Sequence, residues 1–100
     1  MAAPGDYGKP RPAVVIQADL LNQSAQSTIV ALVTSHLLDA PHLRLTLEPT
    51  AGNWLQKRSQ VLVNRLQTLP TAKVGATIGH LSGQDLVDLD RLLAVVIGFA

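Results

Sequence analysis

The spacing of the hydrophobic positions changes near residue 81 of the chain. Before that point they fall in short runs rich in β-branched residues, and the runs at 13–16 and 28–34 predict strands buried on both faces. Residues 43–48 alternate strictly between leucine and polar residues, which predicts a strand with one face in water. Further strands are predicted over 59–63, 66–69 and 74–79. The intervening segments predict connections at 4–12, at 19–27 with room for one helical turn, at 36–42 and at 49–57.

A helical period replaces the strand pattern after Leu81. Ser82 and Asp85 have the hydroxyl–carboxylate spacing of a capping box, which predicts a helix over 82–98. Its apolar stripe consists of Leu86, Leu89, Leu93 and Val96. The last two turns are apolar nearly all round, so we expect a second surface to cover the end of this helix. Gly98 predicts the C-terminal stop.

Five or so short strands closed by one C-terminal helix predict a mainly β fold, a small barrel in a single domain over residues 1–100. A hydrophobic content of 47% and a charged content of 15% are typical of a globular chain. The absence of cysteine excludes a disulfide framework, a thiolate-bound zinc and a cysteine nucleophile. The three histidines have no metal-ligand spacing, so no metal site is predicted.

No segment has the features of a secretory signal or a membrane span. The first residues contain neither a charged start nor an apolar stretch. The longest apolar run, 92–98, is far shorter than the roughly 20 residues that a span requires. We therefore expect a cytoplasmic protein with no contact to a membrane.

The net charge of +1 conceals an uneven distribution. Residues 1–81 hold seven Lys or Arg against four Asp or Glu, a net of +3, whereas residues 82–100 hold one against three, a net of −2. A mildly basic barrel therefore carries an acidic helix. The three aromatic residues are too few for the stacking platforms of proteins that bind long single strands.

Residues 8–16, Gly-Lys-Pro-Arg-Pro-Ala-Val-Val-Ile, resemble the G-x-R-P-x-V-V-I signature of the MazF/PemK-type toxin endoribonucleases. Later segments resemble that family's remaining motifs in the same order: 32–35, a strand ending in a hydroxyl pair; 43–49, an exposed strand; 59–61 with 66–68; and 73–81, the turn into the final helix. Together the five motifs make the chain similar to this family over about residues 5–98.

The resemblance implies an SH3-like barrel of the CcdB/PemK type that forms a homodimer. The implied activity is sequence-selective cleavage of single-stranded RNA by attack of the ribose 2′-OH, with no metal and no cofactor. The implied partner is a cognate antitoxin protein, whose acidic disordered tail occupies the RNA groove and which neutralises the growth inhibition. A barrel with a net charge of +3 is sufficient for an RNA site of a few phosphates.

Arg11 matches the family's catalytic arginine, and Thr34 its catalytic hydroxyl at a strand end. The fork of donors on Arg11 suits phosphate oxygens, and the prolines on either side limit its backbone freedom. Because a guanidinium is protonated at neutral pH, we favour stabilisation of the phosphorane, with proton donation as a further role, over general-base catalysis. Thr34 can hydrogen-bond a phosphate oxygen. The structural alternatives are a surface arginine beside a rigid turn and an ordinary threonine at a strand end.

Three more residues are candidates for catalysis or substrate binding. Asp6 stands where the family often carries an acidic residue; it either orients Arg11, acts as a base, or holds a Gly-Asp-Tyr-Gly turn. Ser35 is a second hydroxyl candidate. His36 replaces a glutamine common in relatives, and it is either a proton shuttle, since imidazole titrates near neutrality, or a loop histidine facing solvent.

Basic and aromatic side chains near these candidates have more than one interpretation. The cations that either contact backbone phosphates or remain solvated are Lys9, Arg44, Lys57 and Arg58. Trp54, in the loop 52–55, either stacks on a base, anchors a partner or packs back on the barrel.

The chain departs from its relatives at the start, where they usually have a strand of the type R-G-D-hydrophobic-x-hydrophobic just before the loop that begins here at about Ala3. We expect either a reading frame that begins upstream or a barrel short of one edge strand, and a lower stability than that of a chain extended upstream. Asn64 and Arg65 replace an Asp-Gln pair common in relatives.

Two other functions stay open. One is a protein-binding toxin similar to the CcdB-type gyrase poisons, which use the last residues of the helix, here 97–100. The other is an inactive, truncated dimerisation module.

Overall fold

The strand pattern forms one antiparallel sheet in the computed structural model, which describes residues 2–4 and 10–98. The strands are β1 (Ala2–Pro4), β2 (Pro10–Val15), β3 (Ser27–Thr34), β4 (Arg44–Leu47) and β5 (Ser59–Pro70), in the order β1-β2-β3-β5-β4. The helical elements are α1 (Asp19–Asn22), a 3₁₀ turn (Thr71–Lys73) and α2 (Gly83–Val96). The predicted class, mainly β with a C-terminal helix, is confirmed.

A bulge between β3 and β5 bends the sheet. Between the pairs Ala31–Leu66 and Val33–Val61, β3 advances by two residues and β5 by five. Such extra residues bend a strand and increase its twist, which allows a sheet to curl towards a barrel. One continuous β5 therefore replaces the two separate strands predicted at 59–63 and 66–69. Its first part pairs with β4, and its last part pairs with the start of β3.

The main apolar core lies between the sheet and α2. Its buried side chains come from three strands and the helix: Ala31, Val33, Leu45, Leu47, Val61, Val63 and Leu89. Leu93 and Val96 of the predicted helical stripe pack against this core, whereas Leu86 is exposed. In β4 the leucines are buried, while Arg44 and Thr46 project from the opposite face, as the alternation predicts.

The ends of α2 follow the sequence signals. The Ser82 hydroxyl accepts a hydrogen bond from the backbone N–H of Asp85 at 3.1 Å, which confirms the N-terminal cap. Gly98 has a φ of +86°, the left-handed conformation that commonly ends a helix. Val95 and Ile97 are exposed, so the described part of the chain supplies no cover for this end of the helix. None of the helices in the described residues is long and apolar enough to cross a membrane.

Two further predictions for local structure are wrong. The predicted connection at 4–12 contains part of the sheet, because β1 pairs with the start of β2 and Ala3 lies opposite Arg11. Prolines donate no ladder hydrogen bond, but they are tolerated at sheet edges and strand starts. The strand predicted at 74–79 does not form. This segment is an extended connection instead, since its composition favours a strand but cannot supply a strand edge with which to pair.

Candidate functional site

An open cleft of about 570 Å³ lies at the end of β3. Its walls are the start of β2, the end of β3, the connection after β3, and the loop between β4 and β5. Polar and aromatic residues on these walls include Arg11, Thr34, Ser35, His36, Trp54 and Lys57. Four of the six candidate site residues from the sequence therefore share one cleft. The other two, Asp6 and Lys9, lie outside the described residues.

The antiparallel pairing of β2 with β3 places Arg11 and Thr34 at the same end of these two strands. Ala13 pairs with Leu32 in an antiparallel register, so each step towards the start of β2 is matched by a step towards the end of β3. Arg11 and Thr34 each lie two residues beyond this pair, past the last residues that pair these two strands, and both line the cleft. Two residues that are distant in sequence thus supply a cation and a hydroxyl to one wall of the cleft.

The backbone that follows Thr34 orients its hydroxyl group. Oγ1 accepts a hydrogen bond from the backbone N–H of His36 at 3.1 Å, a turn that serine and threonine commonly form. A hydroxyl group also has one O–H to donate. Within the described residues this O–H has no protein acceptor. The proton is therefore available to an oxygen atom of a ligand in the cleft.

Gln60 holds the connection 35–43 against the sheet. Its side chain is 7% exposed and makes four hydrogen bonds. Nε2 donates to the carbonyl of Leu38 at 3.0 Å and to the hydroxyl of Thr46 at 3.2 Å. Oε1 accepts from the backbone N–H of Leu38 at 3.0 Å and from Arg44 at 3.1 Å. All the donors and acceptors of this amide are used, so the connection that carries Ser35 and His36 has a fixed attachment to β5.

The basic residues near the cleft have different roles. Arg44 donates from Nη1 to the carbonyl of His36 at 2.9 Å as well as to Gln60, which makes it a structural part of the connection. On the exposed surface Arg58 forms an ion pair with Glu48, Nε to Oε1 2.7 Å. Lys57 lines the cleft itself. Among the described members of this basic set, Lys57 is thus the one whose position suits a ligand phosphate.

The loop 48–58 presents Trp54 at the cleft. The residue is 66% exposed, which contradicts the interpretation that it packs back on the barrel. Its φ of +57° lies in the left-handed region, which residues other than glycine rarely adopt. The backbone N–H of Trp54 bonds to the carbonyl of Thr50 at 3.1 Å. The indole is therefore directed by a defined loop conformation.

Asn53 determines that loop conformation from within. Its side chain, 7% exposed, accepts from the backbone N–H groups of Thr50 at 2.9 Å and Leu55 at 3.0 Å, and donates to the carbonyl of Glu48 at 2.9 Å. The Thr50 hydroxyl accepts in return from the N–H of Asn53 at 3.0 Å. These reciprocal bonds close a compact turn immediately before Trp54.

The segment around Gly79 supports the same loop from the other side. A Cβ atom on Gly79 would lie 2.5 Å from the carbonyl oxygen of Gly52 and 2.9 Å from the carbonyl carbon of Asn53. The N–H of His80 donates to that same oxygen of Gly52 at 2.8 Å. Only glycine permits this close approach of two backbones. The extended connection that replaces the predicted strand at 74–79 therefore helps to position the cleft.

Sequence reasoning missed Gln60 and Asn53, which carry no chemistry but hold both sides of the cleft. A second cleft of about 520 Å³, with a largely apolar lining, adjoins the first and shares Pro12, Val33, Leu55 and Ile78 with it. Over residues 2–4 and 10–98 there is no group of three or more His, Cys, Asp or Glu side chains placed to hold a metal ion.

Comparison with known sequences gives a family match over nearly the whole chain. The model of a family described as "PemK-like, MazF-like toxin of type II toxin-antitoxin system" matches residues 2–97. A protein of Mycolicibacterium smegmatis named "Probable endoribonuclease MazF" is 39% identical over 100 residues, which cover 99% of this chain and 91% of the relative.

Solved structures match at the level of the fold. "Mycobacterium tuberculosis toxin MazF-mt6" superposes with a TM-score of 0.86 at 21% identity, covering 99% of this chain and 95% of that chain. "Endoribonuclease in complex with its cognate antitoxin from Mycobacterial species" superposes with a TM-score of 0.83 at 14% identity, covering 99% and 90%. The bent sheet with its C-terminal helix is therefore the fold of these proteins.

Proposed function

The chain belongs to the family of PemK-like, MazF-like toxins of type II toxin–antitoxin systems, and on this basis we propose that it is an endoribonuclease that cleaves single-stranded RNA without a metal ion. The observation that carries the proposal is the cleft in which β2 and β3 bring Arg11 and Thr34 to one wall. The name of the relative at 39% identity, a probable endoribonuclease, favours this function over a gyrase poison or an inactive module.

The proposed reaction is an internal transesterification of RNA. The ribose 2′-oxygen loses its proton and attacks the neighbouring phosphorus. The bond from phosphorus to the 5′-oxygen breaks, and that oxygen takes up a proton as it leaves. The products are a 2′,3′-cyclic phosphate and a 5′-hydroxyl end. The pentavalent intermediate gathers negative charge on its non-bridging oxygens, so donors held in advance near those oxygens lower the barrier most.

Arg11 and Thr34 are proposed to supply these donors. The guanidinium offers a fixed fork of N–H groups to two phosphate oxygens. The Thr34 O–H, with its oxygen held by the N–H of His36, offers a third donor from the facing strand. Ser35, next to it on the cleft wall, is proposed as a further hydroxyl for the substrate. Donors that are oriented before the reaction give the strongest electrostatic catalysis, and the Thr34 oxygen is oriented in this way by the N–H of His36.

Proton transfer is proposed to involve His36 and Asp6. His36 lines the cleft, and both its backbone N–H and its carbonyl are held, by Thr34 and Arg44 respectively. A positioned imidazole can pass a proton between the 2′-OH and the 5′-oxygen near neutral pH. Asp6 is proposed to orient Arg11 or to accept the 2′-OH proton. We expect His36→Gln to change the pH–rate profile while the melting temperature stays the same; an unchanged profile would exclude the shuttle.

Digestion of a long single-stranded RNA in the presence of excess EDTA tests the proposed function. We expect cleavage at discrete sites, and a loss of about 100-fold or more in kcat/KM for Arg11→Ala, the size of effect seen when a preorganised donor is removed. Arg65→Ala is the matched control, because Arg65 is an exposed arginine of β5 that does not line the cleft. Growth arrest in cells whose RNA stays intact would support the gyrase-poison alternative instead. Neither growth arrest nor cleavage would support the inactive module.

The proposed partners follow from the same function. An antitoxin with an acidic tail is proposed to fill the basic cleft in competition with RNA, and one of the matched structures is an endoribonuclease with its cognate antitoxin. A homodimer is also proposed, because Val95 and Ile97 leave an apolar surface at the end of α2 that a second copy can cover. An enzyme with this substrate would act in the cytoplasm.

A further inference from the structure

We propose that Trp54 stacks on one unpaired base of the RNA next to the scissile phosphate and so contributes to the choice of substrate. The inference rests on the proposed endoribonuclease function and adds a recognition element to it. The proposed ligand of the Trp54 indole is a nucleobase and not a protein partner.

The position of Trp54 within the cleft is the first argument. The indole lines the same cleft as Arg11 and Thr34 and is 66% exposed. For a nucleotide whose phosphate contacts those two residues, we expect the neighbouring base to enter the part of the cleft that Trp54 borders. Every nucleobase has a π-face, so an exposed aromatic ring beside a phosphate site is suited to stacking.

The backbone at Trp54 is the second argument. A left-handed conformation is unfavourable for tryptophan, and it persists only where the surroundings impose it. Here the three hydrogen bonds of the Asn53 side chain impose it from one side, and the close contact with Gly79 from the other. Residues held in such conformations cluster at ligand-binding sites. A backbone fixed at Trp54 before the ligand arrives loses less entropy on binding.

The charge around Trp54 suits the sugar–phosphate backbone of RNA. Lys57 lies three residues further along the same loop and also lines the cleft, so a cation suited to the sugar–phosphate backbone accompanies the ring. Within the described part of the chain Trp54 is the one Phe, Tyr or Trp residue, so in that part it is the side chain suited to stacking on a base. This agrees with an enzyme that grips a few nucleotides.

Intrinsic fluorescence tests the stack directly, because Trp54 is the sole tryptophan of the chain. The probe is a short single-stranded RNA of mixed sequence, fully 2′-O-methylated so that it has no nucleophile and is not cut. We expect saturable quenching of the Trp54 emission, with much weaker quenching by the same sequence as a duplex, whose bases are already stacked. Binding detected by anisotropy of a labelled probe without any change in Trp54 emission would overturn the proposal.

Cleavage kinetics of two matched variants give the second test. Trp54→Phe keeps a ring that can stack, whereas Trp54→Leu keeps apolar bulk without one. We expect Trp54→Leu to raise KM between about 5-fold and about 150-fold with kcat nearly unchanged, the range for loss of one stacked base, and Trp54→Phe to restore most of the affinity. Melting temperatures establish that both variants are folded.

The outcomes separate this inference from the proposed function. If the wild-type chain quenches on binding the probe but cleaves no RNA, the endoribonuclease proposal fails and the stacking is supported. If the wild-type chain cleaves RNA and Trp54→Leu cleaves it equally well, the endoribonuclease stands and the stacking is overturned. Weaker binding of the antitoxin by Trp54→Leu, with RNA cleavage and affinity unchanged, would likewise overturn it and assign the indole to a protein partner.

Discussion

The two connections that border the cleft are held in opposite ways. The connection 35–43 carries Ser35 and His36 and is held from outside by Gln60 of β5, which is 22 residues from its partner Leu38. The loop 48–58 carries Trp54 and is held from within by Asn53, whose side-chain partners lie at most five residues away.

This difference separates the two parts of the proposed site. The conformation of a turn that is closed by local side-chain hydrogen bonds is determined by a few consecutive residues. A connection tied to a strand takes its conformation only when that strand is in place. The wall with Thr34 and His36 therefore depends on the sheet, whereas the wall with Trp54 depends mainly on its own sequence, with Gly79 as a support.

Replacing Gln60 should have the largest effect. Gln60→Ala removes four hydrogen bonds and takes from the backbone N–H of Leu38 its partner, whereas the carbonyl of Leu38 still accepts from the N–H of Ala40 at 3.1 Å; we expect the free energy of unfolding to fall by about 2–4 kcal/mol. Because the connection after Thr34 loses its attachment, kcat should fall by up to about 100-fold. Chemical denaturation and RNA cleavage at a temperature where the variant is folded measure the two effects.

The control for this variant is Gln67→Ala, which removes an exposed glutamine from the same strand. It should leave both stability and kcat close to the wild-type values. A folded Gln60→Ala enzyme with unchanged kcat would contradict the view that the sheet positions this wall of the cleft.

Replacing Asn53 should have a smaller effect, and on a different kinetic constant. Asn53→Ala removes three side-chain hydrogen bonds from the loop, and we expect a loss of about 1–3 kcal/mol of stability together with a higher KM and an almost unchanged kcat. Asn53→Asp is the matched variant, since a carboxylate still accepts from Thr50 and Leu55 but replaces the bond to Glu48 by an oxygen facing the Glu48 carbonyl. If kcat decreased by the same factor as KM increased, the two walls of the cleft would not be independent.

The sequence predicts one of these walls better than the other. Thr50 and Asn53 have the close spacing of reciprocal side-chain turns, so the compact loop before Trp54 was open to prediction from local residues. Gln60 gave only a weak signal, a polar residue inside an apolar run. Its four partners are assembled by strand pairing and by the path of a distant connection, neither of which local residues specify.

The same physical reason explains the errors in the fold. The alternation in β4 and the cap of α2 were predictable because each depends on neighbours in the sequence. Whether residues 74–79 form a strand depends on a free edge elsewhere in the sheet. Likewise, the pairing of β1 with Arg11 and its flanking prolines was not predictable from composition, because edge position decides whether proline is tolerated.

The smallest expected effect concerns the backbone conformation of Trp54 itself. If the loop holds this residue in a left-handed conformation, Trp54→Gly should be more stable than Trp54→Ala by about 1 kcal/mol, because glycine adopts a positive φ without the steric penalty that a Cβ atom brings. The difference between the two variants, measured by chemical denaturation, isolates the backbone, since both lose the indole. Both should bind the 2′-O-methylated probe more weakly than the wild type does. Equal stabilities would mean that the backbone relaxes in the absence of the indole; the loop would then not be held from within, and the contrast with the connection 35–43 would disappear.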